Sequence, residues 1–255
     1  MQNDITAKSR KWIFIRGLRR HSGYWHYFIR HFNKYFPQDE VELIDLPGIG
    51  SEWERASLLS IPEIVDDLRR RSRFLEKSQK LNFLTISMGS MIGVEWARRY
   101  PEEVNLLICI NTSDKGTAHI FERLQPGMLK NIVKKIRSSE AHDVLLEEAI
   151  SAAAKNVEEA AVLRREFTQY PTPSIRNILR QLYSASSYAF PKEKPAVPIF
   201  FLRSLGDELC HPVCTEKICK MWNLDFDTHT TGGHDLLLHE PEWICERISE
   251  YGSAD

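Results

Sequence analysis

Short apolar, β-branched runs recur along this chain, separated by stretches in which apolar residues return every three to four positions. Residues 12–15 (WIFI), 41–44 (VELI), 81–86 (LNFLTI), 105–110 (NLLICI) and 197–202 (VPIFFL) have the continuous apolar character of strands buried on both faces, and a sixth is expected around 224–228. Residues 24–35 and 61–76 carry helical periodicity. In the second of these, Ile61, Ile64, Val65, Leu68 and Leu75 share one face, and Ser60 followed by Pro62 and Glu63 has the form of a capping-box start. A third helix follows the 81–86 strand from Ser90 to Tyr100, and Pro101 closes it. Strands alternating with amphipathic helices predict an α/β fold, with a mostly parallel central sheet of about six strands and helices on both faces.

One region breaks the alternation. From Asp114 to about Phe190 there is no strand pattern, only helical ones at 128–136, 144–153, 157–167 and 175–188. A helical insertion of that length before the last two strands is expected to lie over one end of the sheet as a lid. The expected organisation is therefore a core of residues 1–113 and 191–255 with a helical lid subdomain at 114–190. Binding crevices in such sheets lie at the carboxyl ends of the strands, so the lid is expected to cover the site.

Charge and composition narrow the partners. The 255 residues hold 34 basic and 35 acidic side chains, a balance without the basic excess of nucleic-acid binders or of proteins that bind anionic membranes. The first residues lack the order of a secretory signal, and no apolar run is long enough to cross a bilayer, so a cytoplasmic location is expected. The five cysteines are an odd count and fall mostly on expected helices or a buried strand, as reduced thiols would. Cys210, His211, Cys214 and Cys219 run along one expected helix without a zinc-type pairing, and no metal is expected.

The chemistry-bearing residues fall where strands end. Arg16-Gly17-Leu18 follows the first strand, Asp45-Leu46-Pro47-Gly48 the second, Ser87 the third, Gly206-Asp207 the fifth and Gly232-Gly233-His234 the sixth. Ser87 stands at a strand-to-helix junction, where a tight turn lifts a hydroxyl above the sheet edge beside the N–H groups of a helix start. Ser87, Asp207 and His234 also follow the chain order of an α/β-hydrolase triad.

On these motifs the chain resembles the α/β-hydrolase superfamily, in its lidded branch of small bacterial esterases and carbon–carbon hydrolases, from about Lys11 to the last helix. Thr85-Ile86-Ser87-Met88-Gly89 stands where the family has its G-x-S-x-G elbow, Leu205-Gly206-Asp207 where it has the acid, and Gly233-His234 where it has the base. Asp45 to Gly48 resembles the family's D-x-P-G turn, and Trp25 falls where a tryptophan often follows the oxyanion loop. The resemblance implies Ser87 as nucleophile, His234 as base, Asp207 as the acid that orients it, and the backbone N–H groups of Leu18 and Met88 as the oxyanion hole. It implies no metal and no organic cofactor. The implied activity is cleavage of a small carboxylic ester or thioester, free or carrier-linked, through an acyl-enzyme. A carbon–carbon hydrolase or lyase with the same triad, and a catalytically silent binding protein on this fold, stand as alternatives.

Two departures from the family pattern matter. Thr85 replaces the elbow's first glycine, which raises the expectation of a more strained turn. Arg16 replaces the histidine of the usual H-G pair, and can either brace the oxyanion loop or carry a charge into the site. Asp114, after the fourth strand, is the rival to Asp207, with Glu208 and Asp235 as neighbours; His229 and His239 are the rivals to His234. Arg19 and Arg20, with Arg16, are the candidate substrate-binding residues, against the simpler reading of a solvated loop. Lys130, Lys134, Lys135 and Arg137 suggest an acidic carrier, against the simpler reading of a charged outer helix face. Oligomeric state is open.

Overall fold

The computed structural model describes residues 9–75, 79–125 and 141–252, the side chains of 141–145 excepted. Six strands form one sheet: β1 (Lys11–Ile15), β2 (Glu40–Leu43), β3 (Leu81–Ile86), β4 (Val104–Ile110), β5 (Ile199–Ser204) and β6 (Asp227–His229). Their order is β2-β1-β3-β4-β5-β6 and every pairing is parallel. The chain winds outward from β1 in one direction and from β3 in the other. The order therefore reverses between β1 and β3, and their carboxyl ends frame the crevice where sheets of this kind bind ligands.

Alternation along the strands builds two cores. Ile13, Ile15, Phe83, Leu107 and Phe201 face α2 (Ile61–Arg71), α3 (Met88–Arg99) and α8 (Val213–Trp222). Trp12, Phe14, Leu84, Ile108 and Leu202 face α1 (His26–Tyr35), α9 (Leu236–His239) and α10 (Pro241–Tyr251). Strands buried on both sides read as unbroken apolar runs, which is why they are visible in the sequence. Phe14 meets Trp25, Phe28 and Phe32 at centroid separations of 4.8, 5.9 and 5.2 Å. Truncating so buried an aromatic typically costs about 3–5 kcal/mol.

Several element ends differ from expectation. The helix expected at 24–35 starts as a 3-10 turn, Ser22–Trp25, because the His21 ring caps it by accepting from the Gly23 N–H at 3.1 Å. The expected 61–76 helix stops at Arg71, where Ser72 turns away to donate to Glu42 at 2.7 Å and the Arg73 N–H joins the same carboxylate at 2.9 Å. Only one half of its capping box is present, the Ser60 hydroxyl accepting from the Glu63 N–H at 3.4 Å. The last strand begins at Asp227, not 224. Asn223 closes α8 in the left-handed region at φ 52°, and the Leu224 N–H still serves that helix, bonding Cys219 O.

Among the described residues between β4 and β5 there are only helices: α4 (Ile120–Arg123), α5 (Ala141–Ala153), α6 (Val157–Phe167) and α7 (Ile175–Ser187). The expected helix at 128–136 lies outside the described residues, as do Lys130, Lys134, Lys135 and Arg137. The ends of the segment are tied together, the Phe190 N–H donating to Asp114 Oδ1 at 2.5 Å and the Lys115 N–H to Tyr188 O at 3.3 Å. Leu146, Ile150, Leu163 and Phe167 of α5 and α6 form a third core with Tyr24, Tyr27 and Leu238, in which Tyr24 and Phe167 stack at 4.1 Å. Among the described residues, no helix is long and apolar enough to cross a membrane.

Candidate active site

Ser87 falls between the last residue of β3 and the first of α3, with φ 56° and ψ −124°. That backbone is costly for a side chain bearing a Cβ, and the surroundings enforce it. The Ser87 N–H donates to Ile110 O at 2.9 Å, and its carbonyl accepts from the Ser90 N–H at 2.9 Å and the Thr112 hydroxyl at 3.0 Å. Two glycines permit the close approach of β1 to this turn. A Cβ on Gly89 would lie 2.3 Å from Ile15 O, and one on Gly17 would lie 2.9 Å from Ser87 Cβ.

Thr85 does not share the strain. It is paired within β3, its φ is not positive, and its hydroxyl donates to Ile108 O at 2.7 Å. Its methyl packs where Gly93 leaves space, 3.1 Å from the position a Cβ would take there. The strain of the turn is confined to Ser87.

The structure joins His234 to Asp207, with Nδ1 to Oδ2 at 2.7 Å. The other carboxylate oxygen accepts from the N–H groups of Leu209 and Cys210, each at 2.9 Å. An ionised carboxylate satisfied in this way holds the proton of the imidazole on Nδ1 and leaves Nε2 as an acceptor. Asp114 is elsewhere engaged, through its bond to the Phe190 N–H, and Asp235 is taken by Arg16. His229 accepts from the Gly232 N–H at 3.0 Å, while His239 Nδ1 bonds Asp235 O at 2.9 Å.

The His234 loop is anchored by a residue that sequence reasoning missed. Asn111, at φ 43° just beyond β4, donates to His234 O at 2.8 Å and accepts from the Ser204 N–H at 2.8 Å. The Ser204 hydroxyl in turn donates to Gly232 O. One side chain thus fastens the ends of β4 and β5 to the loop that carries the imidazole. The only sequence signal was an asparagine at a strand end, a residue that tolerates positive φ.

Ser87 and His234 line one cavity of about 340 Å³, within the size range of small-ligand sites. Its wall includes Arg16, Gly17, Leu18, Arg19 and Arg20 from the loop after β1, and Leu146, Ala149, Ala152 and Pro173 from the helical segment. Ser87 Oγ and the His234 ring face it without a hydrogen bond to each other, a looseness common in unliganded sites. Among the described residues neither the Leu18 nor the Met88 N–H has a protein acceptor. Met88 is the first residue of α3, so its N–H is one of the four a helix leaves unpaired.

Arg16 braces rather than projects a free charge. Its guanidinium makes a two-pronged pair with Asp235, one arm at 3.1 Å, and lies 5.2 Å from the Trp25 ring centroid. The pair ties the loop after β1 to the residue that follows His234. Burial would push the Asp235 carboxyl up, but Arg16, with lesser help from Arg20 and His234, holds it below the usual carboxylate range. The Arg19 N–H donates to Gln181 Oε1 of α7 at 3.2 Å, and Gln181 also donates to the Ser57 hydroxyl at 3.2 Å. His21 is locked into the fold, accepting at Nδ1 from Gly23 and bonding Phe167 O through Nε2 at 3.0 Å. Tyr188 bonds Glu95 at 2.9 Å and packs on the first core, away from the cavity wall. All five cysteines are buried free thiols, and among the described residues no three His, Cys, Asp or Glu side chains are grouped to hold a metal ion.

The parallel sheet, the strand-to-helix turn at Ser87 and the strand-end loops define an α/β-hydrolase. Residues 7–242 match the Hydrolase_4 family, serine aminopeptidase S33, and the chain belongs to that family within the α/β-hydrolase superfamily. The chain is 30% identical over 109 residues to the pimeloyl-[acyl-carrier protein] methyl ester esterase of Yersinia enterocolitica, a match spanning 42% of this chain and 38% of that protein. The chain thus spans less than half the length of that curated relative. Among solved structures, E-2-(acetamidomethylene)succinate hydrolase superposes with a TM-score of 0.77 at 14% identity, covering 97% of this chain and 93% of the other. The enol-lactonase from Burkholderia xenovorans LB400 gives 0.70 at 13%, covering 98% and 94%. At such identities these two establish the fold alone.

Proposed function

We propose that this protein is a serine hydrolase of small carboxylic esters or thioesters, with Ser87 as nucleophile, His234 as general base and acid, and Asp207 as the carboxylate that orients it. The observation that carries this reading is the 2.7 Å His234–Asp207 pair beside a serine held at φ 56°, both facing one cavity. Ser87 Oγ attacks the carbonyl carbon while His234 Nε2 takes its proton. Asp207 stabilises the imidazolium, which then protonates the leaving alcohol or thiol. The free N–H groups of Leu18 and Met88 receive the oxyanion, and losing one such donor typically costs about 10²–10³ in rate. Water then cleaves the acyl-enzyme by the same proton route in reverse.

Residues 114–190 act as the lid in this proposal, since Leu146, Ala149, Ala152 and Pro173 supply apolar wall opposite the strand ends. The family's peptidase description fits the cavity less well than an ester does, because a protonated amino terminus would meet Arg19 and Arg20 in the wall. Carrier-linked substrates are included because the Yersinia relative is, by its name, an esterase of an acyl-carrier-protein ester.

The test is hydrolysis of p-nitrophenyl butyrate and a butyryl thioester, with a pre-steady-state burst stoichiometric with enzyme. Loss of both activities in Ser87→Ala and His234→Ala is the expected result. Turnover that persists in Ser87→Ala would overturn the assignment, and labelled serine without any ester turnover would favour carbon–carbon cleavage.

A further inference from the structure

Most of the described arginines that have a side-chain partner hold a carboxylate. Arg10, Arg30, Arg55, Arg69, Arg98 and Arg99 each pair with an Asp or Glu. The two arginines in the cavity wall beyond Arg16 do not. Among the described residues neither Arg19 nor Arg20 makes an ion pair, although both are half-buried and adjacent.

The nearby carboxylates are engaged with other groups. Asp235 is held by both arms of Arg16. Asp45 accepts from the Ser22 N–H at 2.6 Å and the Ser51 N–H at 2.8 Å. Glu148, also in the wall, is exposed and has a contact of its own. The Arg20 guanidinium carbon lies 4.2 Å from the Tyr24 ring centroid, a cation–π contact that holds it at the cavity wall. Arg19 is held at φ 67° by the Gln181 bond to its N–H, which fixes its backbone from α7. Burial, and then the neighbouring charge of Arg20, push the Arg19 pKa down. An anion placed between the two would relieve both effects.

We propose that Arg19 and Arg20 form an anion-accepting subsite, so that the preferred substrate is an ester or thioester bearing a second, anionic group, a carboxylate or a phosphate, remote from its scissile bond. This rests on the hydrolase reading above and names the substrate class within it. Guanidinium groups suit both anions because their paired N–H donors match two oxygens at once. Arg16 is outside the subsite because both arms of its guanidinium are held by Asp235.

Two substrate pairs distinguish the sources. Monomethyl adipate against dimethyl adipate tests a carboxylate; S-butyryl-4′-phosphopantetheine against S-butyrylpantetheine tests a phosphate. In at least one pair the anionic member is expected to show kcat/KM roughly tenfold or more above the neutral one, through KM, as charge-assisted hydrogen bonds of ordinary strength provide. Arg19→Gln and Arg20→Gln should each collapse that ratio, Arg20→Lys should restore part of it, and added salt should reduce it. Which pair responds identifies the anion. Ratios near one in both pairs, or ratios unchanged in the Gln variants, would overturn the proposal. Calorimetric binding of the same four compounds to Ser87→Ala reads the subsite without turnover. Discrimination there, alongside a wild-type protein that hydrolyses none of the four, would leave the subsite standing and the hydrolase reading failed.

Discussion

Replacing Arg16 by methionine removes the cation of a pair whose side chains are only 4% and 14% exposed, and so strands the Asp235 carboxylate in the interior. Breaking a buried pair by deleting one partner typically costs about 3–5 kcal/mol. The partial exposure of Asp235 argues for the lower end, about 3 kcal/mol, which in a domain of this size is a fall in Tm of roughly 6–12 °C. Asp235→Asn should cost less, because the guanidinium left behind keeps the Trp25 ring 5.2 Å away. The double variant should be more stable than the sum of the single losses predicts, as coupled partners are. The pH dependence supplies a second reading. In the wild type the Asp235 carboxyl is held low, so its contribution is fully present above about pH 3.9, the ordinary Asp value, and is lost only as pH falls through the depressed pKa. In Arg16→Met burial is opposed only by the weaker influence of Arg20 and His234 and raises that pKa, so the variant should regain stability relative to wild type as pH is lowered from 7 to 5. Thermal unfolding at pH 7 and urea unfolding across this pH range are the assays. A Tm within about 1 °C of wild type, or strictly additive single effects, would refute a coupled buried pair.

Ser87→Gly should raise stability by about 1 kcal/mol while abolishing hydrolysis, because glycine adopts φ 56° without strain; urea unfolding and an ester assay read the two effects separately. Asp207→Asn should lower kcat by about 10³–10⁴, the scale set by losing the orienting carboxylate. Asp114→Ala should instead lower Tm with little change in kcat, since it removes the Oδ1 that accepts from the Phe190 N–H. His21 is pushed below its ordinary pKa first by burial, so its neutral form contributes stability that is present above about pH 6.5 and lost as pH falls through the depressed value. His21→Gln should flatten that part of the stability–pH curve, with His31, also pushed down by burial, supplying what slope remains.

The strands were legible because burial on both faces writes a continuous apolar run, and the residues at their ends were legible because a parallel sheet gathers those ends on one side. Ser87, Asp207 and His234 could be proposed on that ground, Asp207 being favoured with Asp114 as its rival because both follow strands; the Phe190 N–H that occupies Asp114 lies 76 positions away. The Arg16–Asp235 pair joins residues 219 positions apart, so the sequence showed an arginine where the family has histidine and gave no sign of its partner. Gln181 was hidden for a similar reason, being one polar position on an amphipathic helix until α7 docks beside Arg19. Thr85 was misjudged as a strained replacement because the space made by Gly93, eight residues on, is a property of packing rather than of the turn.

If Ser87 is an activated nucleophile, intact-mass analysis after fluorophosphonate treatment will find one adduct per chain, mapped to Ser87, absent in Ser87→Ala and strongly slowed in His234→Ala. No adduct on the folded protein, or an adduct on another residue, would contradict it.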